Sequence, residues 1–369
     1  MTPRIVPLRG RAHEMPGRIR AVRADGDVPL VGDERWPRGQ WDAVRARVSD
    51  APVPAGTGWA ALTSGTGGEP RVVVRTAESW AASFAAVAAL LRAGGGDAVL
   101  LPAPPSSSLT LFSLAHAIDG GGPRPVLGRD AADATCFHGT PQALRALLDA
   151  DRPTAVRTAL VGGSHLDPGL RKRAGARGIR VVGYYGAAEL SFVAVDDDGT
   201  GLRPFPGVEL EIRAGELWVR SPYVALGYLG RTGPLRTDGA WATVGDLAEL
   251  AGGVLRLRGR ADGAILTASA TVIPEEVEAV LRRLPGVRDA VVFGLPTARI
   301  GALVAALIEP DGGSLDATAL RAASVASLAP AHRPRVWFGG QLPRTSAGKP
   351  ARAEALRRAL AGEAIRLAG

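Results

Sequence analysis

The chain has 369 residues, 46% of them hydrophobic and only 5% aromatic, which gives room for two domains and excludes a disordered chain. Its formal charge of +8 comes from scattered arginines, the longest basic run being "RKR" at 171–173, which argues against nucleic acid as a partner and leaves phosphorylated small ligands. A single cysteine, Cys136, rules out an internal disulfide, and no apolar run approaches the roughly 20 residues of a bilayer span, so a soluble cytoplasmic protein without membrane contact is expected.

Residues 1–55 are rich in Arg, Pro and Gly, and their weak periodicity predicts an irregular N-terminal cover. Its opening, "MTPRIVPLRGRAHEMPGRIR", lacks the apolar core of a secretion signal. From Trp59 onward, strand and helix patterns alternate. "GWAALTS" reads as strand and loop. "TAESWAASFAAVAALLRAG" reads as a helix capped by Thr76 or Ser79 and ended by Gly94 to Gly96, and "DAVLLPAP" as a strand stopped by prolines. The cycle repeats with "PQALRALLDA" and "DPGLRKRAGARG" as helices and "AVRTALVGG" and "IRVVGYYG" as strands. Such near-continuous apolar strands suit a sheet covered on both faces.

After about residue 205 the texture turns to short strands, "VELEIRAGELWVRSP" and "WATVGDLAELAGGVLRLRGR", a β-rich subdomain. A smaller unit begins near Asp262: "PEEVEAVLRRL" and "DATALRAASVASL" as helices, "GVRDAVVFGLP" and "GALVAALIEP" as strands, then a basic terminal helix. The expected fold is therefore α/β: a large N-terminal domain of mixed sheets flanked by helices, with a core over 56–261 and a β-rich subdomain, followed by a small α+β C-terminal domain over 262–369.

One stretch stands out chemically. "TSGTGGEP", following an apolar strand, puts small hydroxyls and backbone N–H groups where no Cβ blocks close approach, as a phosphate cradle needs. It lacks the GxxxxGK[ST] pattern, and taken alone it suits a surface loop equally well. The five histidines show neither HExxH nor HxxxH spacing, so zinc is not expected.

In chain order, "TSGTGGEPR", "GYYGAAE", "GELWVRSPYVALGYLG", "VGDL", "LRGRAD", "VIPEEVE" and "LPRTSAGKPAR" resemble the signature series of the adenylate-forming superfamily of acyl-CoA synthetases, adenylation domains and luciferases. The match spans about residues 59–355. The resemblance implies that Thr63, Ser64, Gly65, Thr66, Gly67 and Gly68 embrace the ATP phosphates, with Arg71 where a lysine is usual. It implies that Glu189 coordinates Mg²⁺, a cation that prefers a hard oxygen anion. Gly163, Ser164, Tyr185 and Gly186 fall along the adenine and acyl pocket, Asp246 on the ribose hydroxyls, and Arg260 on ribose or phosphate. Asp262 takes the hinge position of a mobile C-terminal lid, and Lys349 that of the catalytic lysine. Only two of the 44 basic residues are lysines, and one sits where a compact ammonium must reach a carboxylate and a phosphate together.

The implied activity is ATP-dependent, AMP-forming activation of a small organic or aryl carboxylic acid, followed by transfer to CoA. The phosphate loop begins early in the chain, as in the shortened o-succinylbenzoate-CoA ligases, the subgroup most closely resembled. Ala188 stands where the family has a threonine, and Ala268 and Ser269 where glycines are usual after the hinge. These departures keep other readings open: a carrier-protein thiol, an amine or nitrite in place of CoA or the acid, or a nucleotide-binding paralogue of weak activity. Ser107, His138 and Tyr184 are candidate substrate-pocket residues, although a satisfied structural role is the simpler reading of His138, as of His165. Glu275, Glu276 and Glu278 suit the first turn of a helix, where carboxylates favour the dipole.

Overall fold

In a computed structural model, residues 3–49 are not the irregular cover expected of them. They form strands Ile5–Leu8 and Val28–Val31 and helices Met15–Ala24 and Arg38–Ser49. Four-residue strands are too short to show a period among so many Arg, Pro and Gly residues, yet Val28 to Val31 are all buried. The structure describes every residue except 1–2, 50, 64–69, 129, 131, 151, 231, 261–262, 268–270, 298–300, 314, 347 and 368–369.

Two units separate: one of Met1–Val244, Leu250–Arg256 and Ser346–Lys349, the other of Gly245–Glu249, Leu257–Thr345 and Pro350–Gly369. In the first unit, one sheet runs in the order Ile5–Leu8, Val28–Val31, Thr57–Thr63, Arg71–Thr76, Gly227–Leu229. Its first three strands are parallel and its last two antiparallel, so the N-terminal segment belongs to the sheet that carries the candidate phosphate loop. Its core includes Leu30, Trp41, Val44, Leu62, Val72 and Val74.

A seven-stranded sheet of the same unit runs in the order Arg203–Pro204, Ser191–Asp196, Arg180–Ala187, Thr158–Val161, Cys136–Gly139, Ala98–Leu101, Arg124–Leu127. The strands from Arg180–Ala187 to Arg124–Leu127 are parallel, and Ser191–Asp196 returns antiparallel through a tight turn. The anticipated helix is Ala77–Leu91; the Thr76 hydroxyl accepts from the Ser79 amide at 3.1 Å, and the helix stops at Arg92 in the left-handed region rather than at Gly94. Helix Ser108–Asp119 went unread because Thr110 to His116 are buried in one unbroken run, which leaves no 3.6-residue stripe to detect. The β-rich segment is an antiparallel set, Glu209–Arg213 with Glu216–Arg220, then Trp241–Thr243 and Arg236–Asp238.

The second unit contains a four-stranded sheet, Val287–Thr297, Gly301–Pro310, Val336–Gly339 and Ile365–Arg366, with helices Pro274–Leu281, Ala317–Ser327 and Arg352–Leu360. Val277, Leu281, Val292, Ile308 and Trp337 are in its core. Of the three glutamates expected in the first turn of a helix, Glu275 and Glu276 lie there, while Glu278 follows it and is buried: it accepts the Val292 amide at 2.9 Å and pairs with Arg282 and Arg352, which compensate its charge. No helix among the described residues is long and apolar enough to cross a membrane.

Candidate active site

Thr63 ends one strand and Arg71 begins the next, the two facing each other as a cross-strand pair. The intervening Ser64, Gly65, Thr66, Gly67 and Gly68 lie outside the described residues. Leu62 also bridges Ser107, in parallel, which sets Ser107, at the N-cap of helix Ser108–Asp119, beside the end of strand Thr57–Thr63.

Gly162 and Gly163 follow strand Thr158–Val161 at its C-terminal end, the edge where parallel sheets place ligand sites. A Cβ on Gly162 would fall 2.3 Å from the Tyr184 ring. Gly163 has φ +88°, and a Cβ there would come within 2.9 Å of the Lys349 Cε. Segment Ser346–Lys349 clusters with this unit, so Lys349 and Gly163 are neighbours; Ser164 beside them is exposed.

Tyr184, Tyr185 and Gly186 occupy the end of strand Arg180–Ala187. His138, on strand Cys136–Gly139, is buried and joins Tyr184 to helix Ser108–Asp119: its Nε2 lies 3.0 Å from the Tyr184 hydroxyl and its Nδ1 2.7 Å from the Ser113 hydroxyl. Phe112 and Phe192 pack around this chain. Burial holds the His138 imidazolium down at about 3 and pushes the Tyr184 hydroxyl up, so both are neutral near pH 7. Ser113 was not singled out from sequence, because a serine inside an apolar helix carries no spacing signal.

Glu189 sits in the tight turn between Arg180–Ala187 and Ser191–Asp196. Glycine is required nearby: a Cβ on Gly186 would lie 2.1 Å from the Ser191 carbonyl oxygen. Glu189 is buried, its carbonyl accepts the Ala225 amide at 2.7 Å, and its carboxylate accepts the Tyr228 hydroxyl at 2.8 Å. The Leu235 amide in turn donates to Tyr228, while burial, with the Glu189 charge adding to it, raises the Tyr228 hydroxyl and keeps it a donor. Tyr228 lies inside "GYLG", a stretch quoted for its pattern from which no side chain was drawn.

In the second unit, half-buried Asp246 opens strand Asp246–Ala251. Arg260 ends strand Val254–Arg260, and Asp262 lies outside the described residues. Among the described residues, no three His, Cys, Asp or Glu side chains converge on a metal position. A lone buried carboxylate such as Glu189 fits Mg²⁺ shared with substrate phosphates, which needs only one or two protein oxygens.

Two family models match the chain, the AMP-binding enzyme over residues 46–229 and the AMP-binding enzyme C-terminal domain over 276–349. A probable 2-succinylbenzoate–CoA ligase of Mycobacterium tuberculosis is 35% identical over 332 residues, covering 82% of this chain and 84% of that protein. The 2-succinylbenzoate–CoA ligase of Escherichia coli is 29% identical over 272 residues, covering 69% of this chain and 59% of that one. An Escherichia coli MenE structure with bound OSB-AMS shares the fold, with a TM-score of 0.84 at 23% identity over 97% of this chain and 88% of its own. The paired strands Thr57–Thr63 and Arg71–Thr76, the glycine beside Lys349 and the buried Glu189 thus stand in a chain that belongs to the AMP-binding enzyme family, as an AMP-forming ligase of carboxylic acids.

Proposed function

We propose that this protein activates an aryl carboxylic acid bearing a second polar group, of the 2-succinylbenzoate kind, as its acyl-adenylate and passes the acyl group to CoA. The 35% identity to the M. tuberculosis ligase over 84% of its length carries this reading. Half-buried Tyr184 supports it: with its hydroxyl held by the Ser113–His138 pair and its ring against Phe192, it would offer one wall to an aromatic acid.

Carboxylate and triphosphate repel each other, so the site must neutralise both and hold them in line. In this reading, residues 63–68 and Arg71 hold the triphosphate, Gly163, Ser164, Tyr185 and Gly186 flank the adenine and acyl group, and Asp246 and Arg260 take the ribose and its phosphate. The Lys349 ammonium stabilises charge as a carboxylate oxygen attacks the α-phosphorus and pyrophosphate leaves. Glu189 holds Mg²⁺, which when bound supplies charge neutralisation to the phosphates. The lid over 262–369 then turns about Asp262 relative to the core over 56–261, the CoA sulfur attacks the acyl carbon, and AMP departs.

The test is thioester formation with ATP, Mg²⁺ and a panel of aryl and aliphatic acids. Acyl-CoA is expected from an aryl acid with a second carboxyl. Thioester on an added carrier protein with none on CoA would contradict the acceptor assigned here.

A further inference from the structure

We infer that Arg75 is a positioning residue of the adenylation site: its planar fork ties the Ala188 carbonyl to the Tyr223 carbonyl and thereby fixes the turn that presents Glu189. This rests on reading Glu189 as the carboxylate for the divalent cation.

Strand alternation places Arg75 where it acts. Val72 and Val74 of strand Arg71–Thr76 enter the core of the first sheet, so Val73 and Arg75 face the other way. There the guanidinium is fully buried. One terminal nitrogen donates to the Ala188 carbonyl at 2.5 Å; the other donates to the Tyr223 carbonyl at 3.0 Å and the Ser79 hydroxyl at 3.2 Å. The guanidinium carbon stands 4.9 Å from the Trp80 ring centroid, and Nε has no hydrogen-bond partner among the described residues.

This is an expensive way to fill space. A buried cation held only by neutral acceptors, with one donor unsatisfied, loses more solvation than it regains, and an apolar side chain of similar volume would avoid that loss. Among the described residues no carboxylate forms an ion pair with it; burial pulls the guanidinium down to about 9, and the Glu189 charge pushes it back up. What the fork supplies is geometry: two rigid donors on two separate segments, 188–189 and 223–225, which the Ala225 amide also joins by donating to the Glu189 carbonyl. Ala188 has no hydroxyl with which to hold the turn itself. A lysine at position 75 would keep the charge but present a single point rather than a fork.

The experiment compares Arg75→Gln, Arg75→Lys and Glu189→Gln, after circular dichroism and thermal midpoint have shown which are folded. Mn²⁺ binding is followed by electron paramagnetic resonance in the presence of a non-hydrolysable ATP analogue, alongside the Mg²⁺ dependence of ATP–pyrophosphate exchange. Folded Arg75→Gln should bind Mn²⁺ about tenfold more weakly, the scale of losing a residue that orients a metal ligand, with KM for the acid within about twofold of wild type. Arg75→Lys should recover less than half of the loss. Should Arg75→Gln not fold, Arg75→Lys alone decides. Wild-type Mn²⁺ affinity in the decisive folded variant, with Glu189→Gln weakened, overturns the role of Arg75. Wild-type affinity in Glu189→Gln overturns the assignment of Glu189 and the inference resting on it.

Discussion

The role proposed for Lys349 is one that no arginine of this chain is shaped to fill. A compact ammonium on a flexible stem can follow charge as it moves from carboxylate to phosphate, whereas a guanidinium imposes a plane. Its Cε lies within reach of Gly163, a residue whose φ of +88° disfavours any side chain and whose missing Cβ leaves room for the lysine stem. Lys349→Ala is expected to lower ATP–pyrophosphate exchange at least about 100-fold, the scale of removing one preorganised electrostatic group. Exchange at the wild-type rate in a folded variant would refute that role. Lys349 and Glu189 can be proposed from sequence because each stands inside a quoted motif. Arg75, Tyr228 and Ser113 cannot, because each pairs with a residue more than 20 positions away and leaves no local pattern.

Helix Ser108–Asp119 and strand Cys136–Gly139 hold two buried histidines that make folding sensitive to acid. Burial depresses the imidazolium of His116, stacked on Phe84, to about 4, and that of His138 to about 3. An unfolded histidine titrates near 6.5. Both folded values are therefore lowered: the stabilisation is present above about pH 6.5 and is lost as pH falls toward 4 and then 3, because the unfolded chain takes up protons that the native chain refuses. Urea unfolding between pH 7 and 4.5 should show falling stability, and His116→Phe should flatten the dependence by about one proton. An unchanged slope in that variant would mean His116 is already protonated in the native state. At this scale the sequence was most informative where a cap or proline marks an end, as at Thr76, and least where an element is buried all round or only four residues long.

The whole molecule repeats that lesson. The alternation of apolar strands with helices conveyed the α/β class, and seven short motifs in order conveyed the family, because phosphate, ribose and cation contacts need particular residue types wherever they fall. The N-terminal segment was misread because its contribution is backbone pairing, parallel register from Ile5 with Val28 through Leu30 with Ala60, to which its side chains add little recognisable pattern. The central claim, that this fold joins a carboxylic acid to AMP, is tested most directly by mass spectrometry of the reaction with ATP, Mg²⁺ and an aryl acid such as 2-succinylbenzoate, without CoA. The expected result is an acyl-AMP ester with stoichiometric pyrophosphate, strongly reduced in Lys349→Ala. Release of ADP and phosphate, or no AMP ester from any acid in a broad panel, would contradict it.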